Sequence, residues 1–241
     1  TRTHEQQDLV NSRESIGLTF GPDITAFTSS DETVYTLTIP TDDEETGATA
    51  FQSLEDWAHG LAFDDEEIDK ERGVVVEEWR LGRGAEARIR DKQVPILFKG
   101  SRYAERLPIG KKEILESAPY EALRSFYRDW YRPDLMAVIA IGDFDTESIR
   151  KRIHQHFSKL QAPAEPRARD IYPVPDHDGD LFAITTDPEA TMTSIGVYYK
   201  LPKAPQGTAG DYRRQIVEQI YHGMVNARLG ELTQEADPPF L

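Results

Sequence analysis

Two glutamates seven residues apart, Glu71 and Glu78 in ERGVVVEEWR, are the most informative reactive groups in this 241-residue chain. With Ile68 as origin and about 100° per residue, Val75 and Trp79 fall at roughly 340° and 20° on a helical wheel. Glu71 and Glu78 fall at roughly 300° and 280°, inside an apolar arc continued by Val74 and Leu81 at about 240° and 220°. Glu77 lies near ~180°, at the margin. Carboxylates on a covered stripe are costly unless a cation or hydrogen-bond donors meet them. Carboxylate oxygen is an ordinary zinc ligand, so a metal would satisfy that need. Spacing alone leaves two readings open: a metal-directed pair, or the commoner ion-paired or solvent-touching pair of glutamates.

No other motif competes. The six histidines are scattered; His154 and His156, two apart, point to different faces of a helix. The chain contains no H-E-x-x-H, H-x-x-E-H or G-x-S-x-G sequence and no glycine-rich phosphate loop. Cysteine is absent, which excludes a thiol nucleophile, a disulfide frame and thiolate-bound zinc. Lys and Arg total 28 against 43 Asp and Glu, a net charge of −15, which disfavours nucleic-acid binding through bulk charge. No run of 18 apolar residues marks a membrane span.

These groups need elements to position them. Residues 1–17 carry a weak helical rhythm, and TVYTLTIP alternates as a strand. DDEETG opens a helix that continues through Phe51, Leu54, Trp57, Ala58 and Leu61. A second helix over 64–81 carries the acid pair, and residues 83–116 are mixed in pattern. Ser117 is the expected N-cap of a helix bearing Leu123, Phe126, Tyr127 and Trp130. LMAVIAIGDFD then reads as a strand buried on both faces, followed by a helix from Asp145. The proline-rich stretch 162–180 breaks the composition and reads as an interdomain linker. Beyond it come a strand-like IGVYYKLP and a helix from about Asp211 to Leu229. The layout is therefore a first domain over 1–161, a linker over 162–180, and the start of a second domain over 181–241.

Four segments taken in order, ESIGLTFGPDITAFTSSDETVYTLTI (14–39), ERGVVVEEWR (71–80), FYRDWYRPDLMAVIAIGDFD (126–145) and TDPEAT (186–191), resemble the pitrilysin/insulinase family of zinc metallopeptidases. Bacterial processing-peptidase-like members are particularly similar. The resemblance implies an α+β fold, a mixed or antiparallel sheet layered with helices, and a truncated second domain of similar fold. It implies a Zn2+ cofactor held by an H-x-x-E-H helix that would precede Thr1. Glu78 matches the family's third metal ligand, and Glu71 its supporting acidic residue. The family binds extended peptides as an added strand on a sheet edge. Here that edge is ITAFT, with Thr25, Ala26 and Phe27 as the substrate-contacting residues. Family members commonly carry Asn-Ala where this chain has Thr25-Ala26, and Phe27 is equally readable as a core strand residue.

The implied activity is endopeptidase cleavage of a peptide or small-protein substrate, with zinc polarising the carbonyl and activating water. The enzyme would comprise two homologous halves, and this chain, lacking the zinc-motif helix, is expected to be inactive alone. The alternative is a non-catalytic peptide-binding or scaffolding subunit of the same family. Bacterial relatives point to the periplasm, with the cytoplasm as the other location.

Overall fold

The β-rich sequence ITAFT-SSDE-TVYTL folds back on itself as an antiparallel hairpin, β1 (Ile24–Thr28) and β2 (Thr33–Leu37), with Ile24 opposite Leu37 and Ala26 opposite Tyr35. The computed structural model describes residues 23–240. The weak helical rhythm of 1–17 lies outside them. Ile24 is buried, and Tyr35, on the same face, leans on Trp57 with ring centroids 5.4 Å apart. The Tyr35 and Tyr131 hydroxyls lie 2.6 Å apart. Partial burial first, and that hydrogen bond second, push the Tyr35 phenol well above its ordinary pKa.

Helix α1 (Glu44–His59) starts where the Asp43 carboxylate accepts from the Glu45 and Thr46 amides, with Glu44 and Glu45 at the positive end of the macrodipole. Thr46, Ala50 and Ser53 form a buried stripe at helical spacing. Phe51 is buried and stacks on His156 at 5.7 Å. His156 is on α6 (Thr146–Phe157), and its Nδ1 lies 2.6 Å from the Glu55 carboxylate.

Helix α2 (Asp65–Leu81) follows Phe63, which adopts φ 56°, a strained value for a bulky residue. Packing holds it there. The Phe63 ring lies 5.0 Å from Tyr127, and its carbonyl accepts from Arg124 at 2.8 Å. Next come α3 (Ala85–Leu97), a 3₁₀ turn (Arg102–Glu105), α4 (Lys112–Ser117), α5 (Tyr120–Trp130) and a second 3₁₀ turn (Pro133–Leu135). The last helix is α7 (Ala209–Leu232), opened by a reciprocal cap between Thr208 and Asp211. None of the described helices is long and apolar enough to cross a membrane. The chain divides into two compact units between Thr193 and Ser194.

The α+β class therefore holds, with the sheet limited to two strands among the described residues. Three expectations are corrected, and the first is that IGVYYKLP (195–202) forms no strand. Ser117 does not cap a helix; it ends α4, and its hydroxyl donates to the Glu113 carbonyl at 2.5 Å. Pro119 takes the cap position of α5, because it has no N–H to continue α4 and its ring holds the preceding Ala118 in an extended conformation, ψ 131°. The apolar run after Leu135 is not a strand. Strands exist by pairing, and among the described residues no neighbour offers it a ladder; Ile141 is 92% exposed.

Ile68 is the one buried residue of α2. Its replacement by alanine is expected to cost about 3 kcal/mol, measured as a lower urea midpoint with an unchanged slope.

Candidate peptide-binding edge and acidic helix face

The hairpin register determines which main-chain groups β1 offers outward. Thr38 donates to the Asp23 carbonyl at 2.7 Å and Ser29 to the Glu32 carbonyl at 2.8 Å, bracketing the ladder. Hydrogen-bonded and non-bonded pairs alternate along antiparallel strands. Thr25 and Phe27 therefore turn their amides and carbonyls towards β2, while Ile24, Ala26 and Thr28 turn theirs to the far edge. That edge has no strand partner among the described residues. Side chains follow the complementary alternation. Ala26 shares the packed face with Ile24, opposite the bulky Tyr35. Thr25 and Phe27 lie on the other face, and Phe27 is 54% exposed, so it is a surface residue and not part of the core.

On α2 the covered arc is rotated from the one the wheel predicts. Ile68 is buried, and Arg72, Val75, Val76 and Trp79 are half-buried. Glu71, Val74, Glu78 and Leu81 form a second stripe at helical spacing that faces solvent, with Val74 60% and Leu81 74% exposed. The expected burial of the two carboxylates is thus corrected. Arg72 is the physical reason. Its Nη1 donates to the Leu115 carbonyl at 2.6 Å, and its Nη2 to the Ala118 carbonyl. Its guanidinium lies 5.6 Å from the Tyr120 ring and its Nε 3.2 Å from the Asp69 carboxylate. A charged side chain, invisible to apolar periodicity, docks this helix on the α4–α5 corner. Glu71 and Glu78 remain one above the other on a half-apolar face, and neither carboxylate makes a side-chain hydrogen bond or ion pair among the described residues. Carboxylate chemistry suits Glu78 to a metal. Among the described residues, however, no group of three His, Asp or Glu side chains converges, so these residues do not make a metal centre by themselves. The histidines sit elsewhere: His156 against Glu55, and His59 with Nδ1 2.9 Å from the Glu55 carbonyl.

Just past Glu78 a second arginine system braces the α2–α3 corner. The Arg83 guanidinium lies 5.0 Å from the Trp79 ring and pairs with Asp91. Arg88 grips Asp187 through two bonds of 2.8 and 2.6 Å, reaches Glu189 at 2.7 Å, and donates to the Arg83 carbonyl at 2.8 Å. TDPEAT is thereby fastened to α3. The partners stand 99 residues apart, so no local sequence pattern announces them. The Arg88 bond, followed by the Glu189 amide, lowers the Asp187 pKa from 3.8 to about 2.

The chain belongs to the insulinase (M16) family of peptidases. Residues 1–91 match the family domain described as Insulinase (Peptidase family M16), and residues 117–223 the one described as Peptidase M16 inactive domain. The chain is 36% identical over its full length to the zinc protease PQQL-like of Arabidopsis thaliana, covering 25% of that protein. It is 31% identical over 98% of its length to the probable zinc protease PqqL of Escherichia coli, again covering 25%. It therefore spans about a quarter of the length of these curated relatives. The crystal structure of the first half of the periplasmic protease PqqL from E. coli aligns with a TM-score of 0.69 at 33% identity, over 73% of this chain and 38% of that one. The ferredoxin protease FusC, solved in complex with Arabidopsis ferredoxin, aligns with a TM-score of 0.63 at 26% identity, over 69% of this chain and 18% of that one.

A carboxylate whose folded pKa is depressed contributes stability above its unfolded value, and that contribution disappears as pH falls through the folded value. The stability difference between the native chain and Asp187→Asn is therefore expected to shrink from about pH 4 to about pH 2, followed by urea titration at each pH.

Proposed function

We propose that this chain is part of a zinc-dependent metalloendopeptidase that takes extended peptides as an added strand on β1. The observation that carries this reading is the open β1 edge, with the outward main-chain groups of Ile24, Ala26 and Thr28 lacking a strand partner among the described residues. Backbone pairing there tolerates varied side chains. Thr25 and Phe27, on the uncovered face, would touch alternate substrate residues, and the small Ala26 keeps the edge beside Tyr35 clear. The exposed carboxylates support the second half of the reading. An acidic stripe interleaved with Val74 and Leu81 suits a face that another segment covers, with a cation between them.

In the longer protein Glu78 would be one zinc donor and Glu71 would orient the ligands around it. The remaining donors lie outside the described residues, so no hydrolytic step is assigned to this chain, and the chain alone would be inactive. A second homologous half would complete the enclosure around a peptide or small protein. The ferredoxin complex of FusC is consistent with a small-protein substrate. The E. coli relative is a periplasmic protease, which favours the periplasm, whereas the Arabidopsis thaliana relative is a plant protein of higher identity, 36% against 31%.

The test uses the full-length parent. It should bind zinc and cleave a quenched peptide in a chelator-sensitive way, while Glu78→Gln should emerge zinc-free and inactive. Glu71→Gln should weaken zinc affinity by roughly 10–100-fold. A parent that binds peptide but neither metal nor cleaves it would instead identify a scaffolding subunit.

A further inference from the structure

The stretch 162–180, read from composition as a linker, is fastened at successive points in the unit that contains it. Arg167 Nη1 donates to the Asp129 carboxylate at 3.2 Å, and its guanidinium lies 5.3 Å from the Trp130 ring. The Arg167 carbonyl accepts from the buried Arg132 at 2.7 Å. Two residues on, Arg169 donates at 3.2 Å to the carbonyl of Asp31, in the turn between β1 and β2. The Arg102 guanidinium then lies 4.7 Å from the Tyr172 ring and also donates to the Tyr172 hydroxyl. Pro175 presses on Gly100. φ at Gly100 is +82°, which favours glycine, and a Cβ there would stand 3.2 Å from Pro175 Cγ, so the proline would have to give by a few tenths of an ångström.

The turn is gripped from a second side. The Tyr103 hydroxyl lies 2.9 and 2.8 Å from the two Asp31 carboxylate oxygens. Three segments are thus joined pairwise: the hairpin turn to the Arg102–Glu105 3₁₀ turn through Asp31–Tyr103, that 3₁₀ turn to the 162–180 stretch through Arg102–Tyr172, and the 162–180 stretch back to the hairpin turn through Arg169–Asp31. Such a closed circuit resists hinge motions that any single bond would permit. The restraint matters because a two-stranded hairpin is marginal by itself and opens most readily at weakly held ends.

We propose that Tyr103, Arg102 and Arg169 form a three-sided lock on the tip of the β1–β2 hairpin and so are positioning residues for the peptide-binding edge. The positioning role rests on the strand-addition reading given above, whereas the lock itself does not. An edge already held straight loses less conformational freedom when a peptide pairs with it.

Hydrogen exchange on the 241-residue chain tests the lock. In Tyr103→Phe and in Arg169→Ala, the ladder amides of Thr25, Phe27, Val34 and Thr36 should exchange about tenfold faster, the scale of one lost charge-assisted hydrogen bond. Amides of α1 and α5 should be unchanged, and the double variant should add little once the circuit is open. Asp31→Asn, which keeps an acceptor for Tyr103, should retain more protection than Asp31→Ala. Unchanged ladder exchange, or equal loosening of α1 and α5, would overturn the lock. Fluorescence anisotropy with a labelled oligoalanine peptide, lysine-flanked for solubility, tests positioning in the same proteins. Weaker binding by Tyr103→Phe alongside faster exchange supports it. Faster exchange with unchanged affinity overturns positioning and leaves the lock standing. Absence of binding by the native chain overturns the strand-addition reading together with positioning, and the exchange result alone then judges the lock.

Discussion

A hairpin of two short strands cannot hold itself together in water, and the local architecture depends on the aromatic contacts that compensate. Tyr35 is the pivot. Its ring meets Trp57 on α1, and its hydroxyl meets Tyr131 just after α5. The Tyr127 ring lies 4.4 Å from that of Tyr131, tilted by 34°, and its hydroxyl donates to the Trp57 carbonyl at 2.7 Å. Phe63 closes the group against Tyr127. Strand, two helices and the connection into α2 thereby share one cluster of rings. Each hydroxyl within it has a partner, which suits phenols partly withdrawn from water.

Outside that cluster, junctions are made by arginines. The chain has far more acids than bases, so a guanidinium placed between segments finds carboxylates and carbonyls in abundance. Arg72 docks α2 on the α4–α5 corner, Arg88 ties α3 to the Asp187 turn, and Arg124 bonds the carbonyl at the strained Phe63. Arg132 and Arg167 flank Trp130 at 5.8 and 5.3 Å. Exposed ion pairs contribute little individually. These differ because most combine a planar fork with a backbone acceptor or a ring, and so fix geometry as well as charge.

This division of labour explains the surface the acid pair occupies. Because α2 packs through Ile68, Val75, Val76 and Trp79 with Arg72 docked beside them, Val74 and Leu81 are left outside beside Glu71 and Glu78. The same helix thus serves two faces, one packed and one open.

Local chemistry made much of this legible in the sequence. Apolar period and acidic first turns placed α1, α2 and α6, and alternation placed β2, since these depend on neighbours three or four residues away or on strict side alternation. ITAFT and the acid pair were likewise visible as residues. What the sequence could not specify was every feature set by partners far along the chain. The rotation of α2 was decided by Arg72 meeting carbonyls 43 and 46 residues away. The apolar run after Leu135 has strand composition, but a strand is a pairing and the pairing is not encoded within it. The proline-rich stretch has a linker's composition, yet Asp31, Arg102 and Asp129 hold it in place. Sequence by itself determined which groups were available and which helices would form; tertiary structure alone decided which face each helix shows, because that choice belongs to contacts between distant residues and not to the spacing of near ones.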